Sequence, residues 1–219
     1  MVITYSPPAD TGLDILYQDD YLLAVNKPCG LLSVPGKDQD KQDCLSLRVQ
    51  MRFPAALIVH RLDMSTSGIM LMALGKDMQR ELSSLFQQRQ INKTYMAVVD
   101  GMIEEYSGII DLPLITDWPN RPKQKVDYEA GKSSITCYTV IERNQINNSS
   151  RVELKPETGR SHQLRVHMQS IGHPIIGDRL YASAAAQAKA SRMLLHATKV
   201  VFKHPVSNTT IDIESQPDF

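Results

Sequence analysis

The sequence predicts an α+β fold: a single domain with a mixed, mostly antiparallel sheet flanked by a few helices. Three observations lead there. Short runs of β-forming residues follow one another in hairpin order, few segments show helical spacing, and no internal repeat, low-complexity tract or linker interrupts the 219 residues. Residues 1–12 are Pro-containing and patternless and read as a partly ordered arm, which leaves 13–219 as the domain.

Taken in order, Ile15–Tyr17 and Tyr21–Asn26 are β-rich runs split by Gln18-Asp19-Asp20, a hairpin signal closed by Lys27-Pro28-Cys29-Gly30. Leu57–His60 and Ile69–Leu74 follow as strands around a polar turn. The second is apolar at every position and therefore buried on both faces. Asp77 is a candidate cap for a helix ending near Gln90, with Met78, Leu82, Leu85 and Phe86 on one stripe. Strands are predicted at Tyr95–Val99, Gly108–Leu112, Ser134–Glu142, Arg151–Lys155, Leu194–Phe202 and Thr209–Ile213, the last two joined through His204–Asn208. Ser161 is a candidate cap for a helix burying Leu164, Met168 and Ile171, with Gly172 beyond its end, and a short helix covers Ala184–Ala190.

Composition narrows the function classes. The longest stretches free of charged residues, Met64–Gly75 and Val166–Gly177, are twelve residues each, whereas a membrane helix needs about 20 apolar residues. Nor does the amino terminus read as a signal peptide. Cys29, Cys44 and Cys137 are odd in number and scattered, so neither a disulfide framework nor a thiolate metal site is suggested, and a reducing cytoplasm is expected. Net charge is zero, which weighs against a polyanionic partner. The distribution softens this, because Arg121, Lys123 and Lys125 place three cations within five positions. Preceded by Trp118 and stiffened by prolines, they form a loop suited to phosphate contacts with one stacking platform, or an ordinary solvated loop.

Two polar clusters stand out. His60-Arg61-Leu62-Asp63-Met64-Ser65-Thr66-Ser67-Gly68 sets charged groups in a turn at the rim of a core, where a carboxylate calls for a nearby cation. Gly159-Arg160-Ser161-His162-Gln163-Leu164-Arg165-Val166-His167 is the second, with His162 and Arg165 sharing a helix face that could point into a cleft. From pattern alone, Asp63 reads first as a turn former capping the Ser65–Gly68 backbone and Arg165 as a surface helix residue. The spacings of His162, His167 and His173, five and six, do not suit a metal pair on a helix. No Walker loop or G-x-G-x-x-G occurs, and the kinase reading of His60-Arg61-Leu62-Asp63 fails on the inserted Leu62 and the missing D-F-G.

Together these segments resemble the RluA-type pseudouridine synthases. The matching residues are Asn26-Lys27-Pro28-Cys29-Gly30-Leu31, His60-Arg61-Leu62-Asp63 with Thr66-Ser67-Gly68, Lys93-Thr94-Tyr95, and Gly159 through His167. Gly172-His173-Pro174-Ile175-Ile176-Gly177-Asp178, Leu195-His196-Ala197 and His204-Pro205 complete the series, in the family's order and over nearly all of the chain after Leu13. Ser161 stands where the family usually has Thr, and Ala182 where Gly is common; neither change removes a reacting group. The resemblance implies isomerisation of uridines in large-subunit (23S) ribosomal RNA and transfer RNA stem-loops; too little chain precedes the matching region for the S4-like module of several relatives, and a monomer is expected. It implies that Asp63 is the catalytic aspartate, that Tyr95 stacks on the target base, and that Arg165 pairs with Asp63. Arg61 would occupy the space left by the extruded nucleotide, with further substrate contacts expected from His60, Arg160, His162, Trp118, Arg121, Lys123 and Lys125. The reaction breaks N1–C1′ and joins C5 to C1′ without net redox change, so no cofactor or metal is expected. Two other classes fit parts of the sequence. An RNA-binding or folding-assistance protein would use the aromatic and basic loop without chemistry. A nucleoside hydrolase would need a second carboxylate about 5–9.5 Å from the first, for which Asp178 is the candidate.

Overall fold

The computed structural model describes residues 5–219, so the first four residues of the predicted arm lie outside the described residues. Up to Asn92 the chain forms β1 (Ile15–Gln18), β2 (Leu22–Lys27), α1 (Leu45–Arg52), β3 (Ala56–Ile58), β4 (Ser67–Leu74) and α2 (Lys76–Gln87). There follow β5 (Asn92–Asp100), β6 (Ser107–Asp111), β7 (Leu114–Thr116), β8 (Gln124–Val126), β9 (Ile135–Asn144), β10 (Ser149–Pro156), α3 (Gln163–Ser170) and α4 (Ala184–Ala188). The order closes with β11 (Leu195–Lys203) and β12 (Thr210–Glu214). Mixed pairing with few helices is the α+β class that the sequence predicts. Contacts gather the elements into two compact units, one running to Asn92 and resuming at His196–Asp218, the other spanning Lys93–Leu195 with Phe219.

In the first unit β4 is central. It pairs antiparallel with β2 from Leu22↔Ala73 to Lys27↔Gly68, antiparallel with β3, and parallel with β11 at Ser67 and Gly68. Because side chains alternate across a strand, Ile69, Leu71 and Ala73 join Leu22, Ala24 and the α2 residues Met78 and Leu82 on one face. Met70 and Met72 join Leu23, Val25 and the α1 residues Leu45 and Val49 on the other. Two covered faces explain the unbroken apolar run. Gly68 has φ +109°, and a Cβ there would lie 2.3 Å from the Ala197 carbonyl oxygen, so the approach of β11 requires glycine. The β1–β2 hairpin turns on Asp19, whose Oδ1 accepts the N–H groups of Tyr21 and Leu22 at 2.7 and 2.8 Å.

Helix α2 starts at Lys76 behind left-handed Gly75 (φ 92°), which places Asp77 inside the first turn; it pairs with Arg80 on the surface at 2.7 Å instead of capping. Helix α1 has no counterpart in the sequence reading. One of its inward residues is Arg48, held by Asp43 at 2.7 Å and by the Pro8 carbonyl at 2.7 Å, so its buried face carries no clean apolar stripe. The Pro8 bond, with Tyr5 donating to the Asp43 carbonyl at 2.8 Å, ties the described part of the arm down.

The second unit is an antiparallel sheet in the order β5, β10, β9, β6. Leu164 and Met168 of α3 pack with Ala97, Val99, Val152 and Leu154, and partly buried Tyr95 borders the same cluster. His167 anchors α3 from the inside: Nδ1 meets Thr136 Oγ1 at 2.9 Å and Nε2 meets the Leu112 carbonyl at 3.1 Å. Burial pushes its pKa below the usual imidazole value, as expected for a neutral ring shared between two fixed partners.

Candidate active site

Asp63 lies in the first unit, half-buried, on a turn whose backbone is fixed on both sides. The Ser33 hydroxyl donates to the Leu62 carbonyl at 2.7 Å and accepts the Leu62 N–H at 3.1 Å. On the other side the Met64 carbonyl accepts from the Gly30 N–H at 2.8 Å and from Lys27 Nζ at 3.1 Å. Lys27 is 0% exposed, and its ammonium also reaches the carbonyls of Leu31 at 2.7 Å and Pro28 at 2.9 Å. A charge this deep is tolerated because carbonyl oxygens replace its water. Cys29 Sγ contacts the Ser65 carbonyl at 3.2 Å, and the Thr66 N–H donates to the Asp63 carbonyl at 3.0 Å. The backbone that carries the carboxylate therefore has little freedom, which suits a group that must meet a reacting atom. Arg61 is exposed on the same turn. His60 is built into the unit: its Nε2 accepts the Leu71 N–H at 2.9 Å, and its ring lies 4.5 Å from that of Phe86.

Arg165, in the second unit, is 5% exposed, which rules out the surface reading. Its Nε and one terminal nitrogen meet the two oxygens of Asp178 at 2.7 Å each, and its guanidinium carbon lies 5.1 Å from the Tyr181 ring centre. The bidentate fork uses two of the guanidinium's five donors. Asp178 is 1% exposed and also accepts the N–H groups of Leu180 at 2.9 Å and Tyr181 at 3.3 Å. Both of its oxygens are thus committed to structure, which removes it as the second carboxylate of a hydrolase.

The approach to α3 differs from the sequence reading. Ser161 does not cap; His162 holds the position before the helix with φ 53°, a conformation uncommon outside glycine. No side chain caps the helix; Gln163 instead ties the chain ahead of it to β9. Its Oε1 accepts from Thr158 at 2.7 Å and from the Arg160 N–H at 3.0 Å, while its amide donates to the Ile135 carbonyl at 2.9 Å and to Thr136 at 3.0 Å. Arg160 is exposed, with Nε 3.4 Å from the Ser133 carbonyl. His162 Nδ1 lies 2.7 Å from the Tyr181 hydroxyl, which also accepts the Gln124 N–H at 2.7 Å.

Trp118–Lys125 is not the free loop that its composition suggests. It links β7 to β8, which pair from Leu114↔Val126 to Thr116↔Gln124 and so form a two-stranded ribbon. Three-residue strands are too short to show alternation in a sequence. Trp118 is 65% exposed, and Arg121 lies over it with its guanidinium carbon 4.7 Å from the ring centre. Lys123 is half-buried, whereas Lys125 lies on β8 and pairs with Asp127 at 3.4 Å. Tyr95 sits on β5 opposite Leu154. Lys27, Ser33, Gln163 and Tyr181 are site residues without a role in the sequence pattern, because each has a partner 28 or more positions away: Met64 for Lys27, Leu62 for Ser33, Ile135 for Gln163 and Gln124 for Tyr181.

Comparison with known proteins points the same way. Residues 21–170 match the family described as RNA pseudouridylate synthase. The dual-specificity RNA pseudouridine synthase RluA of Escherichia coli K12 is 52% identical over 215 residues, covering 98% of each chain. The protein of that name from Yersinia pestis is 53% identical over 205 residues, covering 94% of this chain and 99% of its own. Among solved structures, human RNA pseudouridylate synthase domain containing 1 superposes with a TM-score of 0.82 at 30% identity, covering 98% of this chain and 87% of that one.

Proposed function

The chain belongs to the RNA pseudouridylate synthase family and is an RNA pseudouridine synthase, and from that premise we propose that it modifies uridines in two RNA classes, ribosomal and transfer RNA. The dual-specificity name of its relatives supports two classes. In this reading Asp63 supplies the reacting carboxylate, as nucleophile or as base, Tyr95 stacks on the target base, and Arg165 is the cation of the reaction. The observation that carries the assignment is the turn around Asp63. Side chains as distant as Lys27 and Ser33 immobilise its backbone and leave the acid itself half-buried. A surface turn former has no use for such support.

Neither C1′ nor C5 is accessible in a stacked strand, so the base must leave the helix, at a cost of a few kcal/mol offset by contacts to the protein. In this reading Arg61, which is exposed, fills the gap, and His162 and Arg160, at the approach to α3, add contacts to the RNA. The Trp118–Arg121 stack with Lys123 and Lys125 grips the backbone. His60, whose Nε2 is spent within the fold, meets RNA in this reading through the rest of its ring. The same reading has the chain acting as a monomer in the cytoplasm, a compartment that suits its three free cysteines.

Pseudouridine mapping of ribosomal and transfer RNA from cells lacking the protein tests the dual reading. Loss of modified sites in both classes is expected, and loss in one class alone rejects it. Binding has a separate test. Replacing Arg121, Lys123 and Lys125 together by Gln is expected to flatten the dependence of log Kd on log salt by about two to three units, at about 0.7–0.9 per phosphate contact. An unchanged slope would place the grip elsewhere.

A further inference from the structure

The Tyr181 hydroxyl stands between two parts of the second unit that the proposed function uses for different purposes. On one side it accepts the N–H of Gln124, the first residue of β8, 2.7 Å away. This fastens the ribbon that carries Trp118, Arg121, Lys123 and Lys125. On the other side it meets His162 Nδ1 at 2.7 Å, just before α3. The face of the same ring supports the Arg165 guanidinium at 5.1 Å, and the Tyr181 N–H lies 3.3 Å from the Asp178 carboxylate that grips Arg165. Gln124 is itself tied to the ribbon through Thr116 at 3.2 Å and the carbonyls of Pro122 and Lys123 at 3.2 Å each. Displacement of the ribbon therefore pulls on one phenol, and that phenol cannot shift without disturbing what lies against Arg165.

We propose that Tyr181 is a positioning residue that couples seating of RNA on the ribbon to the setting of Arg165, so that the guanidinium is fixed in place when the backbone of the substrate is gripped. The inference rests on the proposed roles of the ribbon and of Arg165. The physical reason for a tyrosine is its two independent handles. The hydroxyl holds strand and turn, while the ring offers the guanidinium a polarisable face that phenylalanine would also supply. Tyr181→Phe therefore cuts the link to the ribbon and leaves the support under Arg165.

The test compares Tyr181→Phe in two backgrounds, the natural chain and the Arg121, Lys123, Lys125 triple Gln variant, using single-turnover pseudouridine formation and RNA affinity. In the natural chain the variant is expected to lower the single-turnover rate about tenfold with Kd changed less than about twofold. In the triple variant the same substitution is expected to cost nothing further, because the ribbon no longer reports the substrate. A wild-type rate for Tyr181→Phe overturns the proposal, as does an equal loss in both backgrounds, which marks a purely local role for the hydroxyl. Hydrogen exchange gives a second reading in the unmodified chain, where RNA is expected to slow exchange of the Gln124 N–H; an unaltered amide contradicts the coupling even if the variant fails to fold. Wild-type chain without activity on RNA would instead remove the proposed function on which the inference rests.

Discussion

Asp63→Asn is expected to abolish pseudouridine formation, by at least about a thousandfold, or about 4 kcal/mol of transition-state stabilisation. RNA affinity is expected to stay within about threefold, because the substitution preserves shape and removes only the ability to ionise. The turn is expected to survive. The bonds that fix it run to the carbonyls of Leu62, Asp63, Met64 and Ser65 and to the Leu62 N–H, and the substitution alters none of those groups. Single-turnover assay with nucleoside analysis, beside a binding titration of the same RNA, checks both halves. Retained turnover would refute the assignment of Asp63. Loss of turnover with retained function in cells would instead move the biological role toward RNA binding or folding assistance.

The second large effect falls on stability. Arg165→Met leaves Asp178 at 1% exposure with its guanidinium partner gone, and an uncompensated buried charge costs about 3–5 kcal/mol. For a chain of this size that corresponds to a fall in melting temperature of roughly 10 °C. The N–H groups of Leu180 and Tyr181 remain to the carboxylate and limit the damage. Arg165→Lys is expected to rescue little, because a point-charge ammonium does not reproduce two parallel bonds of 2.7 Å to both oxygens. Denaturant unfolding of the three proteins measures this; a midpoint for Arg165→Met equal to that of the natural chain would show that the pair contributes nothing.

Local patterning was legible where apolar packing alone decided the structure. The run Ile69–Leu74 could be read as a strand buried on both faces because each residue meets one of two clusters. Caps were less legible, because they depend on which side chain wins the helix end. Asp77 and Ser161 have the right chemistry, but Gly75 and His162 take left-handed conformations ahead of the helices, and Gln163 bonds back to Thr158 and across to β9. Helix α1 was hidden by Arg48, whose burial depends on Asp43 and on the Pro8 carbonyl. For the site, the polar clusters and the resemblance pointed to Asp63 and Arg165. The supporting shell was not readable: Lys27 looks like a solvated residue closing a strand until three carbonyls surround it. Tyr181 acquires meaning only when the chain returns past α3, and Asp178, legible as an acid, shows its partner Arg165 only there.

The most direct measurement uses RNA carrying tritium at C5 of uridine, incubated with the purified chain. Joining C5 to C1′ expels the C5 hydrogen, so the account predicts release of one tritium to water for each pseudouridine formed, in equal amounts throughout the time course. Uridine that keeps its label while the chain binds the RNA, or free uracil appearing in place of pseudouridine, would contradict it.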